Sequence, residues 1–182
     1  AVHILLINLA TDSLPAVALG VDPASPNIMK HKPVKSGTLF ERGMIYRIAL
    51  HGVFITAAAW AAYLIGQYCF AHDHVQAMTM TFLVLSFSQL SHALNQRSNT
   101  DSIFKRGQGH NKFLLIALLA SAAIVALVVF VPPLMSLFDL VYIGWTEWLI
   151  CIGLSLFPLV AVEVSKIFIR LYQKKHHVGI TY

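Results

Sequence analysis

Charge is scarce in this chain. Only 12% of its 182 residues are Asp, Glu, Lys or Arg, about half of what a soluble domain carries. Hydrophobic residues make up 57%, and the mean hydropathy is +0.69. A water-solvated globule is excluded, and lipid is the solvent that fits. Cysteine is scarce too. Cys69 and Cys151 have no metal spacing and make no disulfide framework, so both read as apolar residues. The sequence contains no Gly-rich phosphate loop, no Ser-His-Asp set and no metalloprotease helix. The chain itself therefore offers no nucleotide site and no hydrolytic centre. It lacks an initiator Met and a basic segment ahead of its first apolar run, so no secretory leader is read. The opening Ala1-Val2-His3-Ile4-Leu5 reads as part of a longer chain.

What the chain does have is long hydrophobic runs. A helix that crosses a bilayer needs about 20 apolar residues. Five stretches qualify, at about 1–19, 44–66, 75–94, 113–131 and 145–172. The expected fold is all-α, a polytopic transmembrane helical bundle in contact with lipid. The last stretch is long enough to tilt or to emerge from the bilayer.

A net charge of +5 could point to nucleic acid, but its distribution points to membrane topology. Lys30, Lys32, Lys35, Arg42 and Arg47 flank the first linker. Arg97, Lys105, Arg106 and Lys112 fill the third. Lys166, Arg170, Lys174 and Lys175 end the chain. These are all 13 basic residues, and the linkers 67–74 and 132–144 hold none. By the positive-inside rule, loops 20–43 and 95–112 and the C-terminus are cytoplasmic, and no nucleic-acid partner is expected. The first span then starts outside, which predicts at least one earlier span. Trp145 and Trp148 stand at the outer boundary, where an aromatic belt belongs. Pro23, Pro26, Pro33 and Gly37 within Val21–Gly43 read as an ordered loop that docks onto another domain.

The first stretch carries Asn8-Leu9-Ala10-Thr11-Asp12-Ser13-Leu14-Pro15. At about 100° per residue, Asn8, Thr11 and Asp12 share one helix face. Pro15 has no N–H for the carbonyl of Thr11. Carboxylate, amide oxygen and free carbonyl are the set a hard cation takes, and broken helices at membrane depth are tolerated where they line a site. The other reading pairs Asp12 with a basic residue of a helix outside this chain. In the third stretch Ser86, Gln89 and His92 also share a face. Gln89 lies about 8 Å and Asp12 about 11 Å from the cytoplasmic ends of their helices, so the two could meet. Interhelical hydrogen bonding is the plainer role for Gln89. Glu163 and Lys166 are spaced for an ion pair, with proton handling by Glu163 as the alternative. His72, His74, His176 and His177 read as solvated histidines.

The run from Asn8 to Gly20, followed by Val21-Asp22-Pro23 and Asn27-Ile28-Met29, resembles the sixth membrane helix of P-type calcium ATPases. His92-Ala93-Leu94-Asn95 resembles the end of that family's eighth helix. The order and orientation of the spans also fit. The resemblance implies the sixth to tenth helices of a ten-helix transport domain. It implies calcium ligands at Asn8, Thr11 and Asp12. The eighth helix of two-site pumps supplies a glutamate where this chain has Gln89, so the resemblance implies a single Ca2+ site, with Gln89 as possible support. It further implies the plasma-membrane type of pump, here in a prokaryote. The parent enzyme would hydrolyse ATP with Mg2+ through an aspartyl-phosphate in upstream cytoplasmic domains, and those domains and the upstream helices would be this chain's partners. The alternatives are a P-type pump for Na+ or Mn2+, or a secondary cation/proton exchanger that uses no ATP.

Overall fold

The computed structural model describes residues 2–22, 44–70, 73–96 and 111–176. Most of loops 20–43 and 95–112, together with His72 and His177, lies outside the described residues. The first apolar stretch is divided. Helix α1 (Val2–Ile7) passes into a wide π-turn over Asn8–Asp12 and then into α2 (Ser13–Gly20). Next come α3 (Met44–Cys69), α4 (His74–Asn95) and α5 (Lys112–Phe130), then the short α6 (Pro132–Leu137) and finally α7 (Trp145–His176). No strand occurs among the described residues. Four helices, α3, α4, α5 and most of α7, are long and apolar enough to cross a membrane. The molecule is a helical transmembrane bundle.

Helix α4 is the least apolar of these four and the most buried. Water would favour the reverse. In lipid, side chains that need hydrogen-bond partners find them only inside the bundle. Thr79, Ser86 and Ser88 are fully buried on α4, beside Met80, Leu83 and Val84. Thr79 and Ser86 hydroxyls donate to the carbonyls of Val75 and Phe82 one turn back. Thr79 Oγ1 also accepts from Val141 N at 3.2 Å and docks the segment before α7 onto α4. Helices α3 and α7 enclose α4, while α5 and the π-turn touch it from the remaining side. The aliphatic side chains Val53, Leu119, Leu127 and Val160 of the outer helices stay exposed, as lipid-facing residues should.

Helices α3 and α4 form a tight hairpin. Ala58, Ala62 and Gly66 recur every four residues as the buried stripe of α3. Small residues let two backbones approach closely where no hydrophobic effect drives association. A Cβ on Gly66 would lie 2.6 Å from Ala77 Cα, so only glycine fits there. The Asp73 side chain accepts from Val75 N at 3.0 Å and caps α4.

Helix α7 is joined to the end of α4 by a buried cation. Lys166 is 4% exposed. Its Nζ lies 2.9 Å from Glu163 Oε1 and donates to Asn95 O, in the last turn of α4, at 3.2 Å. Asn95 Nδ2 in turn donates to Leu159 O. The pair spans one turn of α7, and the lysine also serves an α4 carbonyl that has no partner in its own helix. Trp148 is separated from its neighbour in the expected aromatic belt. It stacks on Phe130 of α5 with ring centroids 5.4 Å apart, whereas Trp145 is 82% exposed.

Two outcomes are expected from these contacts. Gly66→Val should cost about 1–3 kcal/mol by overpacking, read as a lower unfolding midpoint in detergent; the exposed Gly52→Val should cost little, since nothing lies within 4 Å of its Cβ position. Lys166→Met removes the cation that both pairs with Glu163 and serves Asn95 O and should cost about 3 kcal/mol. The double substitution with Glu163→Gln should recover part of that loss, as a double-mutant cycle would report.

Candidate cation site

The break in the first helix rearranges the polar residues expected on one face. A π-turn is wider than an α-turn and inserts one residue into the helical path. Positions four apart then nearly eclipse, and the residue between them lags. Asn8 and Asp12 stay together and are exposed, while Thr11 turns inward and is 2% exposed. The expectation of a single shared face therefore does not hold for Thr11.

Two hydroxyls reinforce carbonyls at the π-turn. Ser13 Oγ donates to Asn8 O at 3.1 Å. Thr11 Oγ1 lies 2.7 Å from Ile7 O and 2.8 Å from Gln89 Oε1. One hydroxyl has a single proton. It donates to Ile7 O, and the Gln89 amide turned over donates Nε2 to Thr11. Thr11 and Gln89 are thus brought together, and the expected approach of Gln89 to Asp12 is replaced by this contact. Pro15 is buried in the first turns of α2 and has no N–H to offer Thr11 O. Helix π-bulges are frequent at functional sites.

The remaining candidates sort plainly. Glu163 is engaged by Lys166. Ser86 is closed on its own helix. His92 faces His51 of α3, ring centroids 4.8 Å apart, so Ser86, Gln89 and His92 do not act on one partner. His74 accepts or donates to Tyr63 OH at 3.1 Å. Cys151 is buried in the core and Cys69 is exposed, both as free thiols. Among the described residues no ion pair involves Asp12, and no group of three His, Cys, Asp or Glu could hold a metal. A calcium ion takes six to eight oxygens. Asn8, Thr11 and Asp12 can supply only part of such a shell.

One buried carboxylate escaped the sequence reading. Glu147, in the first turn of α7, is 8% exposed. It accepts from Gln76 Nε2 of α4 at 3.2 Å and from Thr146 Oγ1 at 3.1 Å. Gly144 makes room for it, since a Cβ there would sit 2.6 Å from Glu147 Oε2. Acidic residues favour the first turn of a helix, a signal that was present beside Trp145 and Trp148. The short α6 also had its signal, a proline pair at its start where a missing N–H costs nothing.

Comparison with known proteins supplies the frame for this geometry. The chain is 35% identical to "Calcium-transporting ATPase 1" of Bacillus cereus over 181 residues, covering 91% of this chain and 20% of that protein. It is 35% identical to "Calcium-transporting ATPase" of Bacillus subtilis over 159 residues, covering 86% of this chain and 18% of that protein. It is 28% identical to "Calcium-transporting ATPase type 2C member 1" of Pongo abelii over 186 residues, all of this chain and 20% of that protein. The chain thus spans about a fifth of the length of the curated relatives it matches. A family model described as "Cation transporting ATPase, C-terminus" matches residues 1–168, and with nine-tenths of its length inside that match, this integral multi-pass membrane chain belongs to the cation-transporting ATPase family as its C-terminal region.

Proposed function

We propose that the chain is the membrane transport region of an ATP-driven calcium pump, the sixth to tenth helices of ten, and that it supplies part of a single Ca2+ site. The observation that carries this reading is the break at Asn8–Asp12. It turns an amide oxygen and a carboxylate toward the side of the helix that this chain leaves uncovered, where upstream helices would complete the shell. Calcium is the cargo at this site. Asp12 contributes the anionic oxygen that a dehydrated dication requires, and Asn8 adds a neutral one. The Thr11 hydroxyl, held by Ile7 O and the Gln89 amide, serves the site by fixing the wide turn, and the Thr11 carbonyl released by Pro15 is its own oxygen for the ion.

The single-site reading rests on Gln89. It is neutral and already hydrogen-bonded to Thr11, so it cannot offset a second dication. ATP and Mg2+ act in cytoplasmic domains upstream. Loops 20–43 and 95–112 and the C-terminus lie on the cytoplasmic side, as all basic residues of the chain indicate. The plasma membrane of a prokaryote is the proposed location, in keeping with the bacterial relatives.

In the full-length protein, Asp12→Asn should abolish calcium-dependent phosphorylation by ATP, while phosphorylation by inorganic phosphate, which needs an empty site, should survive. Asn8→Ala should raise the calcium requirement, and Gln89→Ala should raise it less. A near-normal calcium curve for Asp12→Asn would place the site elsewhere. Transport in sealed vesicles should move one calcium per ATP; a ratio of two would reject the single site.

A further inference from the structure

Where a helix changes pitch and loses a bond, contacts from outside it gain weight in aligning its two halves. Here α1 and α2 meet at the π-turn, which keeps its own wider backbone bonds, and Pro15 withholds one bond just beyond it. The direction of α2 then depends in part on what holds its far end. Asp12 is the last residue of the π-turn, directly before Ser13, so any movement of α2 moves its carboxylate.

The far end of α2 is held by a side chain 93 residues away. Asn111 precedes α5, and its Oδ1 accepts from Leu114 N at 3.0 Å as an ordinary N-cap. An N-cap amide needs only that oxygen. Here its nitrogen is also used. Asn111 Nδ2 donates to Ala18 O at 2.9 Å and to Asp22 Oδ1 at 3.1 Å. Ala18 lies in the last turn of α2, where carbonyls have no helical partner. Asp22 is itself fixed, its N–H donating to Leu19 O at 3.1 Å. Asn111 is 8% exposed, and Ala18, Leu114 and Ala117 pack into a small apolar cluster beside it. One amide thus closes the start of one helix and the end of another.

We infer that Asn111 is a positioning residue of the cation site: through Ala18 and Asp22 it holds α2, and so Asp12, at a fixed angle to the bundle. This rests on the proposed reading of Asn8 and Asp12 as ion ligands.

The test uses the full-length protein with Asn111→Ser and Asn111→Ala. Serine keeps an N-cap oxygen for α5, alanine does not, and neither can reach Ala18 O with an amide N–H. Both variants should need about fivefold more calcium for half-maximal phosphorylation by ATP, the equivalent of one lost net hydrogen bond. The maximal phosphoenzyme level of the serine variant should match the parent, and only the alanine variant should also yield less folded protein. Spin labels at the exposed Val17 of α2 and Leu115 of α5 should give a broader distance distribution in both. A normal calcium requirement in the serine variant overturns the inference, as does a shifted requirement with an unbroadened distribution. Asp12→Asn in the same titration separates the two ideas. If it loses calcium dependence while Asn111→Ser is normal, the site stands and the positioning role falls. If it titrates normally, the site and the role built on it fall together.

Discussion

Hydrocarbon offers nothing to a backbone carbonyl, so a helix in lipid must keep its carbonyls partnered where its pitch changes. Over Asn8–Asp12 the wider i→i+5 bonds of the π-turn keep the backbone paired, and two hydroxyls reinforce it. Thr11 serves Ile7 O and Ser13 serves Asn8 O. Within the π-turn Thr11 turns inward, and Asn8 with Asp12 turns outward. Because Thr11 also meets Gln89, the reinforcement fixes the turn against α4. The same contact that satisfies the backbone therefore sets the depth of the candidate ligands relative to the rest of the bundle.

Around α4 one tendency dominates: polar side chains face the centre of the bundle, and aliphatic ones on the outer helices face lipid. Helix α4 gathers Thr79, Ser86, Ser88 and Asn95 in its buried face, and Lys166 from α7 closes its inner end. Glu147 closes the opposite end of α7 against Gln76 of α4. The two buried charges of α7 thus both work on α4, one near each end. Close packing between α3 and α4 comes from the absence of side chains at Gly66 and its neighbours, a way of joining helices that does not depend on expelling water.

Much of this was legible in the sequence, because hydropathy and the placement of Lys and Arg read directly as helices and linkers. The Glu163–Lys166 pair was signalled by its spacing, whereas the change of pitch lies upstream of Pro15, at Asn8–Asp12. What could not be read was the shift of phase at Asn8–Asp12. A constant angle per residue puts Asn8, Thr11 and Asp12 together, and only the inserted residue of the π-turn separates them. Pairings across long stretches were hidden for a different reason. Asn111 and Ala18, or Thr11 and Gln89, carry no mark in either local sequence that names the other. The second bond of Lys166, to Asn95 O, was hidden in the same way.

The enclosure of α4 bears on how the chain is made. Its polar stripe suits the finished bundle and suits bare lipid badly. Helix α3 precedes it and can shelter one side at once, through the Gly66–Ala77 approach. Helix α7 begins about 50 residues after Asn95, several seconds of synthesis at about 5–20 residues per second. During that interval Asn95 and Gln76 await Lys166 and Glu147, which do not yet exist. The polar face of the α3–α4 hairpin is thus covered only after α7 has been made.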